Sequence, residues 1–297
     1  DWSTFQLIQS IAPAYASGGM SWNERIVATV FFMNQLGYKA KLGRANGELF
    51  VLLNIREEVT NTNWFRFGGD NYYVINPRHR DLDKIQTVDA NHPYASNQIS
   101  VTLRTQPTVG NLYTTRSLAL EGGTCHIKYN KALVRYLSTY PCVSFNVYAT
   151  AAMDPVTMRS LEDALRPHLR GKSQVAAANV LLHFVQKAFD YKTDDDNHGY
   201  EKWNFAEETL AARYCDCEDR SALFAQLVRR FLGLKVIMVN YYQEHMATAV
   251  HFTDGSAHGS ALQHRGTNYV ICDPTYIGAD CGAAMPGLTS DIRIVEL

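Results

Sequence analysis

Apolar positions along the chain change period several times, and each change predicts an element. Phe5, Ile8 and Ile11 or Ala12 recur at helical spacing between Trp2 and Tyr15, with Pro13 closing the run. Val27, Val30, Phe31 and Asn34 predict a second helix that ends at Gly37. Glu48–Asn54 and Asn71–Ile75 are rich in Val, Leu and Tyr and predict strands. Residues 80–97 turn polar, include Pro93, and read as a linker. Short strands are expected at Ile99–Thr105, Ser117–Leu120, Cys125–Tyr129 and Cys142–Thr150. Helices return after Asp154. Val175, Ala178, Leu182, Val185 and Phe189 keep a helical spacing behind Ser173, a good N-cap. A further helix is expected over Glu218–Leu232, stopped by Gly233, with strands near Val236–Asn240, Met246–Phe252 and Asn268–Cys272.

The two ends of the chain resemble each other. FFMNQLGYKAKLG around Gly37 answers LVRRFLGLKVIMV around Gly233, and NYYVINP (71–77) answers NYVICDP (268–274). Upstream, LIQSIAPAY (7–15) answers FVQKAFDY (184–191). Three matches in one order predict an internal duplication. The expected organisation is therefore a first copy over 1–92, a β-rich middle module over 93–150 and a second copy over 151–297.

Length and charge narrow what such modules do. The 297 residues suffice for two or three cores. With 28 basic against 29 acidic residues, no positive excess exists to neutralise phosphates, so no nucleic-acid partner is expected. A 46% hydrophobic chain of near-zero net charge is not disordered. No apolar run reaches the roughly 18–20 residues that span a bilayer, so no integral membrane segment is expected. Six cysteines are too few for a disulfide scaffold, although Cys125 and Cys142 are a possible pair in an exported protein. The chain starts at Asp1 without a methionine, which fits an exported protein whose leader is gone.

The chemistry concentrates in the second copy. Tyr214–Ser221 reads Tyr-Cys-Asp-Cys-Glu-Asp-Arg-Ser at the start of the predicted helix. A thiol there faces unpaired backbone N–H groups and the positive end of the helix dipole, both of which favour the thiolate. His245 follows 28 residues after Cys217 at a strand start, and Asp273 another 28 later at a strand end. A Cys on a helix with His and Asp on adjacent strands has the logic of nucleophile, general base and orienting carboxylate. Each residue also has an ordinary reading: an apolar packing thiol, a satisfied histidine, a turn-opening Asp-Pro. A zinc site from Cys215, Cys217, Cys272 and His245 is the weaker alternative, because Cys-x-Cys is tighter than zinc spacing. Asp194–Asp196 opens like a calcium loop, but its twelfth position is Phe205 where a Glu is required, so a solvated loop is expected. No metal and no cofactor are expected.

DCEDRSALFAQLVRRFLGLKV followed by HMATAV and YVICDPTY resembles the transglutaminase-like, papain-related superfamily. It is similar in particular to exported transglutaminase-like cysteine hydrolases of Bacteroides-type bacteria. The resemblance covers about Leu182 to Pro286. It implies an α+β core, a Cys-bearing helix on an antiparallel sheet, with Cys217 as nucleophile, His245 as base and Asp273 as orienting acid. Cys217 rather than Cys215 matches the family's Asp-Cys pattern, which leaves Cys215 as a packing residue or a redox neighbour. The family's upstream oxyanion-hole donor falls near Trp203 or Tyr200, with the Cys217 N–H as second donor. Aligning the repeats sets Ser21 opposite Cys217, Glu48 opposite His245 (Leu49 by the Gly37 alignment) and Asn76 opposite Asp273. The first copy is thus degenerate. The implied activity is a peptidase or amidase acting through a thioester on a peptide or protein substrate. The alternatives are a crosslinking transglutaminase and a non-catalytic surface or binding protein that keeps the fold. The oligomeric state is left open.

Overall fold

The computed structural model describes residues 1–11, 19–75, 82, 84–88, 92–242 and 244–297. It is a mixed α+β structure with antiparallel sheets, divided into two units: residues 1–102 with 140–144, and residues 103–139 with 145–297.

The first unit begins with α1 (Trp2–Ile11) and α2 (Trp22–Gln35), which pack together. Ser21 caps α2 in a reciprocal box: its side chain accepts from Glu24 N–H, and the Glu24 carboxylate accepts from Ser21 N–H. Five strands follow: β1 (Ala40–Ala45), β2 (Glu48–Leu53), β3 (Trp64–Phe67), β4 (Asp70–Ile75) and β5 (Gln86–Thr87). They form one sheet in the order β3-β4-β2-β1-β5. Phe50, Leu52, Tyr72, Val74 and Leu82 fill one face. Val51, Leu53, Tyr73 and Ile75, one residue out of phase, point to the other face, where α2 packs on β1 and β2. The buried stripe of α2 is Ile26, Thr29, Val30, Met33 and Asn34, so the predicted stripe is rotated: Val27 and Phe31 are exposed. The expected Pro13 stop and Asn76 lie outside the described residues.

The second unit opens with a hairpin, β6 (Tyr113–Leu120) and β7 (Gly123–Asn130). Helices α3 (Lys131–Leu137), α4 (Phe145–Thr150), α5 (Pro155–Leu169) and α6 (Gln174–Ala188) follow. Next come β8 (Asp190–Tyr191), α7 (Asp194–His198), α8 (Ala206–Ala211), β9 (Tyr214–Cys215) and α9 (Cys217–Leu232). The chain closes with β10 (Lys235–Tyr241), β11 (His245–His251), β12 (Ala261–His264), β13 (Thr267–Cys272) and β14 (Ile292–Glu296). These last five form a sheet in the order β12-β13-β11-β10-β14, with α9 packed on β10 and β11 and α6 packed on α9. Cys142–Thr150, expected as a strand, is helical from Phe145. It buries Val147, Tyr148 and Ala149 in succession, and α9 side chains satisfy its last carbonyls: Gln226 donates to Tyr148 O and Arg229 to Ala149 O. Ile99–Thr105 is not a strand either, and only Ile99 pairs, in a single bridge to Ile55.

The two large sheets have the same strand order, and their registers correspond. Gly43 pairs with Phe50 in β1–β2, and Val239 pairs with Ala247 in β10–β11, which sets the strands 196 and then 197 residues apart (239 − 43, 247 − 50). The extra residue lies in the hairpin connection: residues 46–47 in the first, 242–244 in the second. Asn46 and Gly47 both have positive φ (50° and 82°), as a two-residue hairpin turn requires. Glu48, not Leu49, therefore occupies the place of His245. Among the described residues no helix is long and apolar enough to cross a membrane.

Candidate functional site

Cys217 is the first residue of α9, which buries every residue from Glu218 to Val228. Gly233 ends the helix in a left-handed conformation (φ 66°), and Arg229 and Arg230 in its last turn complement the dipole. The first turn of α9 brackets the Met246 peptide in β11. Ser221 Oγ donates to Met246 O at 3.0 Å, and the Met246 N–H lies against the Cys217 sulfur. Met246 is the neighbour of His245, so helix and strand bring the thiol to the head of the histidine strand.

His245 and Asp273 form a buried pair, Nε2 to Oδ2 at 2.8 Å, with the residues 9% and 1% exposed. An ionised carboxylate only accepts, so Nε2 carries the hydrogen and Nδ1 is left as acceptor. Asp273 is held from its other side by its own turn: Oδ1 accepts from Thr275 N–H (2.8 Å) and Tyr276 N–H (3.2 Å). Gln186 of α6 pins the same turn. Its Nε2 bonds the carbonyls of Asp273, Tyr276 and Ala279, and its Oε1 accepts from Gly278 N–H. Tyr241 stacks on the imidazole at 6.2 Å.

The thiol itself is engaged elsewhere. Cys217 Sγ donates to Glu218 Oε2 at 3.1 Å, and among the described residues no hydrogen bond joins it to His245. Burial pushes the Cys217 thiol well above its ordinary range, and Glu218 and then Asp216 add to this, against the opposing Met246 N–H. Burial first, and the acidic neighbours after it, thus outweigh the helix end that was expected to favour the thiolate. Those acids are themselves displaced: burial, and then the charge of Asp219, raise Glu218 to about 8, and burial, and then the charges of Glu218 and Asp194, raise Asp216 to about 9.

Cys215 lies in β9, buried, with its thiol pushed up to about 12 by burial. All six cysteines are free thiols, so Cys125 and Cys142 are not joined. Cys215, Cys217, Cys272 and His245 do not converge as ligands. Among the described residues the group at metal-ligand spacing is Asp194, Asp216 and Glu218. The trio Asp194–Asp196 is not a solvated loop but opens α7 behind the N-cap Thr193, with Asp194 buried and its two successors exposed. Trp203 stacks on Phe145 at 3.9 Å and gives its indole N–H to Glu201 Oε1 at 2.7 Å, so that donor is already engaged. Tyr200 is 40% exposed, with its ring 5.9 Å from that of His198. Tyr191, which the sequence did not single out, stands where Cys217, Asp216 and Glu218 act on it electrostatically, and the Arg220 guanidinium lies 5.5 Å from its ring centre. A concavity of about 570 Å³ lined by Gly233, Lys235, His264 and Glu296 lies at the opposite end of α9 from Cys217. Among known proteins, no family model matches the chain, and no curated protein or solved structure gives a significant match.

Proposed function

We propose that this chain is a transglutaminase-like cysteine hydrolase, exported, with its catalytic core formed by α6, α9 and β10–β14. In this reading α1, α2 and β1–β5 are a degenerate copy of that core. Support for the duplication comes from the common strand order and from the one-residue offset confined to the hairpin connection. The observation that carries the function is the buried His245–Asp273 pair on the strands beside Cys217, with Nδ1 left to take a proton. Cys217 thiolate attacks an amide carbonyl, forming a C–S bond. His245 protonates the leaving amine, and water then cleaves the thioester to carboxylic acid and free thiol. Where an amine replaces water the same intermediate yields a crosslink. The Cys217 N–H, at an uncapped helix start, is a donor for the oxyanion.

Turnover of peptide or glutamine amides, followed by release of amine or ammonia, is the test. Activity is expected to vanish in Cys217→Ala and to fall by about 10³-fold or more in His245→Ala. Full activity in Cys217→Ala would overturn the mechanism. The second reading, a binding protein that keeps only the fold, is favoured by the bond from the thiol to Glu218. Alkylation of Cys217 by iodoacetamide at about pH 6 supports the enzyme, and labelling confined to above about pH 8 supports the binding protein.

A further inference from the structure

We infer that the carboxylates of Asp194, Asp216 and Glu218 form a binding site for one hard divalent cation of calcium's size. The site lies beside the Cys217 thiol, but cation binding does not require that thiol to be a nucleophile. The three ligands come from separate places: the first residue of α7, the residue before α9, and the first turn of α9. One oxygen from each lies within 4.8 Å of the others, and all three residues are buried. Calcium holds oxygens at about 2.3–2.6 Å, so oxygens on opposite sides of one ion stand about 5 Å apart.

A separate observation points to a ligand. Asp216 occupies the N-cap of α9, where its carboxylate would ordinarily accept a backbone N–H of the first turn, yet it makes no such bond. It is 5% exposed, its Oδ1 has no hydrogen-bond partner, and its carboxylate instead faces Asp194 and Glu218. A buried acceptor without a donor is rare in folded proteins, and a bound ion is one of its few explanations. No basic side chain among the described residues forms an ion pair with any of the three. Lys202, the nearest lysine by charge, directs its Nζ to Glu208 at 2.9 Å and also to Asn204. Glu201 adds a fourth negative charge nearby, while its Oε1 accepts the Trp203 indole N–H. The partial positive charge at the start of α9 offsets only a fraction of three carboxylates.

The donor set selects the ion. Ligands that are all carboxylate oxygen suit hard cations and not zinc or copper. Magnesium keeps most of its water and takes one or two carboxylates, whereas calcium accepts a cage of several. The site differs from a contiguous calcium loop, because Asp195 and Asp196 are exposed and take no part.

Chelator-treated full-length protein, titrated with calcium chloride by calorimetry and with terbium chloride by Trp-sensitised luminescence, tests the site. One ion per chain is expected, with terbium emission quenched by excess calcium and magnesium binding at least about tenfold weaker. Asp194→Asn and Asp216→Asn should each weaken calcium by about tenfold or more, while Asp195→Asn and Cys217→Ser keep the wild-type affinity. Near-ultraviolet circular dichroism establishes that each variant is folded, and Glu218→Gln replaces any that is not. Absence of both calcium heat and displaceable terbium emission in the wild type up to millimolar ion would overturn the site. So would an affinity that is the same in the Asp194, Asp216 and Asp195 variants. Loss of binding in Cys217→Ser would show that the thiol is a ligand and overturn the all-oxygen assignment. Because binding is read without substrate, its failure is separate from failure of the hydrolase reading.

Discussion

A thiol at a helix start is drawn in two directions, and Cys217 shows which prevails. Backbone N–H groups and the dipole favour the thiolate, but burial opposes it most strongly, and Glu218, whose Oε2 lies 3.1 Å from the sulfur, and then Asp216 add to that opposition. Replacing Glu218 by Gln removes the ionisable group and exchanges the carboxylate that accepts the thiol proton for a neutral, weaker amide oxygen. The pH midpoint of Cys217 alkylation should then fall by about one unit or more, measured by mass spectrometry of the labelled peptide. An unchanged midpoint would mean that burial alone holds the thiol up. Gln186 acts on the other half of the site. Its loss would remove its bonds to three carbonyls, of which Tyr276 O keeps the Ala279 N–H, and would leave Gly278 N–H without its acceptor. Gln186→Leu should cost about 2–3 kcal/mol in urea unfolding, because its bonds are buried and the replacement cannot make them. The order Cys, His, Asp was legible in the sequence because each residue stands at an element boundary set by local pattern. Gln186, Tyr191 and the acids around the thiol were not, since their roles depend on which distant segments pack together. Asp194 is the plainest case: in sequence it is one of three equivalent aspartates, and only the fold buries it alone.

At the level of elements, the correspondence between the two sheets is carried by size as well as order. Gly43 pairs directly with Phe50, and an added Cβ at Gly43 would come within 2.1 Å of the Phe50 ring. At the corresponding places the second sheet has Val239 paired with Ala247, the large and small residues exchanged between strands. One pair of positions thus holds a side chain from either strand, as close packing across a ladder requires. Gly43→Val alone should destabilise by about 1–3 kcal/mol through overpacking, and Phe50→Ala alone by about 3–5 kcal/mol through cavity formation. The double variant, which copies the second sheet, should be more stable than the sum of the singles by at least about 1 kcal/mol, measured by a double-mutant cycle in urea. Simple additivity would show that the two positions do not share the same space. Strands and long helices were readable where apolar residues alternate or recur at three and four. The middle of the chain was not, because α4 is short, buried on successive residues, and stabilised at its end by side chains from α9. The buried face of α2 departs from its apolar pattern for a related reason: the stripe includes Thr29 and Asn34, and Asn34 bonds the backbone of Ala40 in both directions. Polar residues with such internal partners read as surface when only hydropathy is considered.

Across the whole molecule, 28 basic and 29 acidic residues nearly cancel, but the charges are not distributed evenly. Asp194, Asp216, Glu218 and Asp219 are buried within one unit. Burial raises all of them, to about 6 for Asp194, about 8 for Glu218 and about 9 for Asp216, with Asp219 also displaced upward. In the unfolded chain the same groups titrate near 4. Between these limits the folded protein holds more protons than the unfolded one, so stability falls as pH rises. The contribution is complete below about pH 4 and is lost progressively as pH passes through 6, 8 and 9. Glu57 works in the opposite sense. Although burial opposes it, hydrogen bonds from Ser100, Val101 and Thr102 lower its carboxyl, so the stability it supplies is lost only below the ordinary carboxylate range. The two windows therefore separate. Chelated protein should show a urea midpoint that declines from about pH 5 to about pH 9, against the usual expectation that carboxylates stabilise proteins most near neutrality. Calcium should oppose the decline, and most strongly at the upper end, because a cation binds the ionised carboxylates and not the protonated ones. A midpoint that is flat or rising over this range would mean that the four acids ionise in the folded protein without cost. A decline that calcium leaves untouched would mean that protons, not a cation, are what the cluster is built to hold.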